Sequence, residues 1–336
     1  HFASDIAGRS DNRHPVTHFT HSTSISFARP AYEPSVAWQA ERRTRSMYTD
    51  TKNWGDRANY FEFQGHQIAY WTGGPIRAKP LMLVHGFPTC SWDWVPVWER
   101  LSANHRLIAC DMLGFGLSDK PKSGYTIHRQ ADLQEALLAH LEVKEFDALV
   151  HDYGVSVGQE LLARQIENSS ALDLDRMVFL NGGIFPDQHR PVLMQKIGVS
   201  PVGFLVGLLM NRKRFGSSFS QVFGPETKPT EAELDEFWSF ISHKSGNRIT
   251  HKLLHYIADR VEHKSRWESA LVGSQHKIGL INGALDPVSG KHAYDKWREV
   301  VPDARHHLID TVGHYPQVEA PAEVAAKALE WLTPAV

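Results

Sequence analysis

Short apolar runs alternate with longer amphipathic stretches along most of the chain. The runs have the length and composition of strands: Tyr60–Gln64, Gln67–Trp71, Leu81–His85, Arg106–Cys110, Phe146–Val150, Arg176–Leu180, Lys277–Ile281 and His306–Ile309. The longer stretches have the period of helices: Trp92–Ala103, Ile127–Leu141, Gly154–Ile166, Lys291–Val300 and Ala322–Leu332. Because repeated βα units form parallel sheets covered on both faces, the pattern predicts an α/β fold with a mostly parallel eight-stranded sheet.

This alternation stops between the sixth and seventh predicted strands. Residues 186–265 contain helical segments and no convincing strand. We therefore predict a helical cap over residues 186–265, inserted after the sixth strand into a core formed by residues 47–185 and 266–336. Open α/β sheets bind ligands at the carboxyl edge of their strands, and a cap there would exclude water and shape a pocket.

The first 46 residues differ from the rest of the chain. They are rich in Ser, Thr, Arg and His, and they follow neither the helical nor the strand period. We expect residues 1–46 to form a poorly structured arm. Their arginines leave a transit peptide as an alternative.

Composition narrows the class of protein. Hydrophobic residues make up 42% and charged residues 22%, with a net charge of −2, so neither nucleic acid nor a membrane is an expected partner. The two cysteines form no disulfide framework, which favours buried thiols and a cytoplasmic setting. The histidines do not show metal-binding spacing, so we expect no metal and no cofactor. A monomer and a homodimer are both compatible with the sequence.

The segment after the fifth predicted strand contains two candidate nucleophiles. Ser156 lies in a G-x-S-x-G motif, which is typical of serine hydrolases, and Asp152 lies four residues earlier. Because the strand ends at Val150, the sharp turn that a nucleophile needs falls on Asp152, and Ser156 falls inside the helix. We predict Asp152 as the nucleophile. Ser156 stays an alternative, as does a purely structural role for Asp152 as a helix N-cap.

Partners for a nucleophile follow three other predicted strands. Asp286 and His314 each come just after a strand, where an acid can orient a histidine that acts as a base. The backbone N–H groups of Phe87 and Tyr153 are placed to form an oxyanion hole.

These motifs resemble the epoxide hydrolase and haloalkane dehalogenase branch of the α/β-hydrolases. The resemblance rests on HGFP at residues 85–88, DMLGFGLSDKP at 111–121, HDYG at 151–154 and GHYP at 313–316. More narrowly, LNGGIFPDQHRP at 180–191 and VFGPETKP at 222–229 are similar to the subfamily of the mesoderm-specific transcript protein and its microbial relatives. The resemblance implies an α/β-hydrolase fold and a two-step hydrolysis through an ester of Asp152. An aspartate nucleophile suits attack on a saturated carbon, because water can cleave the resulting ester, whereas it could not cleave the ether that a serine would form.

The two branches differ in how they stabilise the leaving group. Haloalkane dehalogenases of this type have a tryptophan directly after the nucleophile, which holds the halide. This chain has Tyr153 at that position. Epoxide hydrolases use cap tyrosines, and Tyr256 is the only tyrosine in residues 186–265. The resemblance therefore favours an epoxide hydrolase with Tyr256 as the proton donor, while a place in the core of the cap stays an alternative for this tyrosine. The expected partner tyrosine is absent. His251, His255 and Trp238 are candidates to replace it, with Trp238 and His255 predicted at the pocket, but spacing selects none of them.

Three alternatives remain open: a haloalkane dehalogenase with the same triad, a serine esterase using Ser156, and a catalytically silent receptor or scaffold. The apolar composition of the predicted cap favours a small hydrophobic substrate.

Overall fold

The computed structural model describes residues 50–188, 190, 193–198, 200 and 202–333. The predicted N-terminal arm, residues 1–46, lies outside the described residues.

A single eight-stranded sheet runs through the described part of the chain. Its strands are β1 (Asn59–Phe63), β2 (His66–Gly73), β3 (Pro80–Val84), β4 (Arg106–Cys110), β5 (Glu145–Val150), β6 (Asp173–Phe179), β7 (Ile278–Gly283) and β8 (Arg305–Ile309). The spatial order is β1-β2-β4-β3-β5-β6-β7-β8. β2 pairs antiparallel with β1 and β4, and all other pairs are parallel. The predicted fold class is confirmed.

The central strands are apolar on both faces because each face is covered by helices. Met82 and Val84 of β3 point into one hydrophobic cluster, and Leu81 and Leu83 point into the other. This period of two places alternate side chains on opposite sides of the sheet. Helices bury both faces, which explains why the strands read as continuous apolar runs rather than as alternating ones.

The helices outside the predicted cap flank this sheet. They are α1 (Thr51–Asp56), α2 (Val95–Ser102), α3 (Ile127–His140), α4 (Tyr153–Ile166), α11 (Lys264–Gly273), α12 (Lys291–Val300), α13 (Pro316–Glu319) and α14 (Pro321–Leu332). α2 follows a 3₁₀ turn over Ser91–Trp94, so the predicted helix Trp92–Ala103 divides into two elements. α11, which was not predicted, packs against α4.

Within the described residues, shorter helices occupy the chain between β6 and α11. They are α5 (Leu193–Gly198), α6 (Phe204–Leu209), α7 (Arg212–Phe219), α8 (Glu231–Ser242), α9 (Thr250–Leu253) and α10 (Tyr256–Glu262). Between α8 and α9 the chain turns through a 3₁₀ segment, His243–Ile249, where Lys244 and Ser245 have positive φ. Within the described residues, none of the helices has the length and apolar character needed to cross a bilayer.

Candidate active site

Asp152 occupies the apex of a sharp turn between a buried strand and a helix. β5 ends at Val150 and α4 begins at Tyr153, so the turn is only two residues long. Asp152 has φ 49° and ψ −108°, a conformation that side-chain-bearing residues rarely adopt and that concentrates at functional sites. Its side chain makes no capping hydrogen bond to α4. The carboxylate is therefore directed away from the helix and not used as an N-cap.

Two glycines allow the backbone to pack closely around this turn. A Cβ at Gly86 would lie 2.7 Å from the Asp152 Cβ, and one at Gly154 would lie 2.4 Å from the Val84 carbonyl oxygen. Neither distance is compatible with a side chain. The turn after β3 and the start of α4 can approach Asp152 only because both positions are glycine.

Asp286 and His314 come from separate loops and meet at Asp152. His314 Nδ1 donates to Asp286 Oδ2 at 2.7 Å, and His314 Nε2 lies 3.1 Å from Asp152 Oδ2. All three side chains are buried. The loops follow β7 and β8, so the carboxyl edge of the sheet brings the three side chains together.

Neighbours that the sequence did not reveal hold Asp286 in place. Asp286 Oδ2 accepts hydrogen bonds from Ser289 Oγ at 2.6 Å and from Asn181 Nδ2 at 3.0 Å. Asp286 Oδ1 accepts from the Val288 N–H at 2.7 Å. Asn181 follows β6 at the same edge of the sheet. Its position directly after a predicted strand is the sequence feature that could have indicated this role.

A buried glutamate fixes the loop that carries His314. Glu319 accepts hydrogen bonds from the N–H groups of Gly313 and Tyr315, which flank His314, at 2.8 and 2.9 Å. It also accepts from the Gly224 N–H, at 2.8 Å, in the segment between β6 and β7. One carboxylate therefore joins the His314 loop to the chain above the sheet.

The backbone of the turn after β3 contacts the candidate nucleophile directly. The Phe87 N–H donates to Asp152 Oδ1 at 2.7 Å. Tyr153 is the first residue of α4, so its N–H has no carbonyl partner within the helix. These two amides are the pair that the sequence indicated for an oxyanion hole.

The electrostatics of the three buried groups depend on one another. Burial opposes ionisation of Asp152, yet the hydrogen bond and the positive charge of His314 hold the pKa of this carboxyl well below its usual value. Burial likewise opposes ionisation of Asp286, whose pKa His314 also lowers. Burial alone lowers the pKa of His314, but the two carboxylates raise it well above its usual value. The resting site is therefore an imidazolium between two carboxylates.

A cavity opens over this group. Its wall includes Asp152 and His314, and apart from Ser218, Thr250 and Tyr315 its other side chains are apolar: Phe87, Pro88, Val206, Met210, Phe215, Phe219, Val222, Ile241, Leu254 and Val288. Such a lining suits an apolar ligand with one reactive polar group.

The three residues predicted around the leaving group are not at the cavity wall. Tyr256 is buried one layer behind it, with its ring centroid 6.4 Å from that of Phe87 and 4.8 Å from that of Tyr153. Trp238 packs behind Phe215, at 5.8 Å between ring centroids. His255 is exposed and forms an ion pair with Asp259 at 3.2 Å. In contrast to the prediction, Trp238 and His255 do not form the pocket, because α8 and the start of α10 turn these positions away from it.

Arg260 is a buried cation that the sequence did not single out. Its side chain is 2% exposed and its guanidinium lies over the Tyr256 ring, 5.8 Å from the ring centroid. A Cβ at Gly183 would lie 2.0 Å from the guanidinium carbon, so the arginine packs on the backbone that follows β6. Tyr256 is therefore held between aromatic rings and a buried positive charge.

The alternative nucleophile finds little support in this geometry. Ser156 lies inside α4 with no exposed surface, and it is not part of the cavity wall. Among the described residues, no cluster of three or more His, Cys, Asp or Glu side chains has the arrangement of a metal site.

Comparison with known proteins places this architecture in a family. The model of the alpha/beta hydrolase fold family matches residues 79–321. The chain belongs to the α/β-hydrolase fold family. It is 40% identical to the mesoderm-specific transcript protein of Mus musculus, over 80% of this chain and 84% of that protein. It is 35% identical to LipZ of Mycobacterium tuberculosis, a hydrolase by name, over 77% of this chain and 90% of that protein.

The comparison extends to a more distant relative and to a solved structure. A haloalkane dehalogenase of Mycolicibacterium paratuberculosis is 26% identical over 79% of this chain and 87% of that protein. The solved structure of the epoxide hydrolase CorEH superposes with a TM-score of 0.64 at 19% identity, over 82% of this chain and 97% of that chain. The latter likeness shows the shared fold. Family membership supports a hydrolase and leaves the substrate class open.

Proposed function

We propose that this hydrolase opens apolar epoxides to vicinal diols through a covalent ester of Asp152. The observation that carries the proposal is the placement of one carboxylate between two different partners. Asp152 Oδ1 is held by the Phe87 N–H, and Asp152 Oδ2 faces His314 Nε2. Asp286 is also held by a backbone N–H and by His314, but Asp152 lines the cavity and Asp286 does not. Asp152 is therefore the carboxylate placed to act as a nucleophile, with a base at one oxygen and an oxyanion donor at the other.

In the first step, Asp152 Oδ2 attacks a ring carbon of the epoxide. The carbon–oxygen bond of the ring breaks, and its electron pair stays on the leaving oxygen. Because Tyr256 lies behind the cavity wall, its proton reaches this oxygen through a water molecule in the cavity. The product is an alkyl ester of Asp152. The low pKa of Asp152 keeps the nucleophile ionised across the neutral range.

In the second step, His314 removes a proton from water, and the hydroxide adds to the carboxyl carbon of Asp152. The Phe87 and Tyr153 N–H groups stabilise the negative charge that develops on Oδ1. Collapse of this intermediate breaks the ester bond and releases the diol. The two protons of the water end on the second diol oxygen and on His314, which restores the resting site.

Formation of the ester itself prepares His314 for this second step. In the resting site, Asp286 and Asp152 both raise the pKa of His314. Alkylation removes the negative charge of Asp152, so one of these two influences disappears. The imidazolium then releases its proton more readily, and that proton restores the Tyr256 hydroxyl deprotonated in the first step. The neutral imidazole can now accept a proton from water, while Asp286 keeps it oriented.

Single-turnover reaction of styrene oxide in oxygen-18 water, with enzyme in excess, tests the route. The diol should carry no label, because its new oxygen comes from Asp152, and the peptide containing Asp152 should gain the label. Asp152→Ala should be inactive and Ser156→Ala active. Label in the first-turnover diol, or activity that is lost with Ser156 instead, would contradict the proposal.

Dehalogenation of haloalkanes is the second candidate. It is favoured by the position of Tyr256 behind the cavity wall, because a halide leaves without needing a proton. The similarity to a haloalkane dehalogenase agrees with this alternative. Bromide release from 1-bromobutane, with no diol formed from any epoxide, would replace the first proposal with the second.

A further inference from the structure

Helix α6 is apolar on every side although only one side is buried. Its sequence is Phe-Leu-Val-Gly-Leu-Leu, and no charged residue occurs from Ile197 to Met210. Val206 and Met210 face inward and line the cavity. Phe204, Leu208 and Leu209 face solvent with 53%, 60% and 55% of their surface exposed. A helix that is hydrophobic all round is ordinarily buried on all sides or in contact with lipid.

The exposed apolar side chains are concentrated at this place. Twelve large hydrophobic side chains are exposed in the described residues, and six of them fall within residues 197–209. They are Ile197, Val202, Phe204, Leu205, Leu208 and Leu209. We call these six the apolar patch. Contiguous exposed patches of this kind mark binding surfaces.

The chain segment that carries the apolar patch has charges of one sign, although Glu231 and Asp235 of α8 pair with Arg212 beside it. From Gln188 to Pro225 the chain has no Asp or Glu, but it has five cationic residues. Of these, Lys196, Lys213 and Arg214 are exposed on either side of the patch in sequence. α6 also packs on the backbone of Asn247 and Arg248, which adds a further exposed cation. The local excess of positive charge contrasts with the net charge of −2 of the whole chain.

We propose that the apolar patch and its flanking cations dock the protein on an anionic lipid bilayer. Apolar side chains at the tip of a surface enter the boundary between headgroups and acyl chains, and Lys and Arg beside them contact anionic headgroups. A second copy of the chain would bring the same cations face to face, which disfavours a dimer through this surface. This proposal departs from the expectation, drawn from the near-neutral overall charge, that a membrane is not a partner.

Docking would place the inner wall of the catalytic cavity next to the acyl chains. Val206 lines the cavity, and its helical neighbours Leu205 and Leu208 belong to the apolar patch. One short helix would thus separate lipid from the candidate nucleophile. The docking surface is independent of the reaction proposed above, since it rests on α6 and its surroundings rather than on the triad.

Flotation of the full chain with vesicles tests this proposal without measuring activity. We expect binding to vesicles of phosphatidylcholine with about one third phosphatidylglycerol, and weaker binding to phosphatidylcholine alone. Leu208→Ser/Leu209→Ser should reduce the binding constant roughly tenfold for each leucine. The matched control Ile166→Ser/Val272→Ser removes apolar side chains exposed to 49% and 46% on α4 and α11, and it should bind like the unaltered protein.

A second pair of variants tests the role of charge. Lys196→Gln/Lys213→Gln should weaken binding to the anionic vesicles about fivefold for each lysine, and the loss should shrink at high salt. Lys291→Gln/Lys296→Gln on α12 serves as control. Absence of binding to the anionic vesicles would overturn the proposal, as would equal binding to neutral ones. A dimer in sedimentation velocity that Leu208→Ser/Leu209→Ser dissociates would assign the patch to a second copy instead.

Discussion

Asn181 connects the candidate nucleophile to the candidate acid. Its carbonyl oxygen accepts the Asp152 N–H at 2.8 Å, and its side-chain amide donates to Asp286 Oδ2 at 3.0 Å. The Asn181 Oδ1 in turn accepts the Gly283 N–H at 2.6 Å, so the amide cannot rotate freely. Asn181 therefore connects Asp152 and Asp286, the two carboxylates of the triad, through hydrogen bonds from a single residue.

Replacing Asn181 with alanine should slow hydrolysis of the ester more than its formation. Asp286 would lose one of its donors and hold His314 less firmly, and we expect a loss of about tenfold in the second step. Rapid-quench mass spectrometry of the Asp152 peptide would then show accumulated ester. Asn282→Ala is a suitable control, because Asn282 is equally buried and its amide donates to backbone carbonyls only. Equal slowing of both steps would argue against this role.

Glu319→Ala should destabilise the protein, because three buried N–H groups would lose their acceptor. We expect a decrease of about 2–4 kcal/mol in the free energy of unfolding, measured by urea denaturation. Glu323→Ala, at an exposed glutamate on α14, should change stability by less than about 0.5 kcal/mol. Similar values for the two variants would show that the loop does not depend on Glu319.

The two half-reactions should differ in their dependence on pH. Asp286 and Asp152 raise the pKa of His314, and the ester retains only the influence of Asp286. Ester hydrolysis should therefore slow as pH falls through the pKa of His314 in the ester, since imidazolium cannot accept a proton from water. Ester formation should stay constant over the same range, because the low pKa of Asp152 keeps it ionised. Quench-flow measurement of both rates tests this difference.

Asp286→Asn should move the acid limb of ester hydrolysis to lower pH, because the variant loses the charge that raises the pKa of His314. The maximal rate should also fall, by roughly 10²–10⁴-fold, since the amide no longer stabilises the imidazolium. An unchanged acid limb would exclude His314 as the group that titrates.

Ser156→Ala should leave activity intact and change stability little. The hydroxyl is fully buried and has no hydrogen-bond partner among the described residues. Removing it should be neutral or stabilising by up to about 1 kcal/mol. Thermal unfolding and epoxide turnover together check this expectation. A large loss of activity would return Ser156 to consideration as the nucleophile.

Local sequence patterns were sufficient to predict site residues that directly follow a strand, because the end of the strand determines where such residues lie. The apolar run ending at Val150 fixed the turn on Asp152, and Asp286 and His314 follow strands whose ends share one edge. The hydrogen bonds of Asn181 and Glu319 depend on loops far apart in sequence, so no local pattern indicates them. Helix α11 was missed because its exposed Val272 interrupts the apolar period of the buried residues Trp267, Ala270 and Leu271.

The predicted cap was harder to read than the core. Its helices are short, and the positive φ angles at Lys244 and Ser245 redirect the chain between α8 and α9. Helical periodicity can place Trp238 on an apolar face, but it cannot tell which neighbour that face meets. For the same reason the sequence suggested Trp238 and His255 at the pocket.

The link between Glu319 and Gly224 bears on how freely the parts of this protein can be recombined. Grafting the segment between β6 and β7 from a relative is an attractive way to change specificity, since the core would supply the chemistry unchanged. Here that segment also supplies the Gly224 N–H and, through the Val222 carbonyl, a hydrogen-bond acceptor for the backbone N–H of His314. A graft that omitted residues 222–224 would disturb the candidate base itself, so specificity and chemistry are not separable modules at this junction.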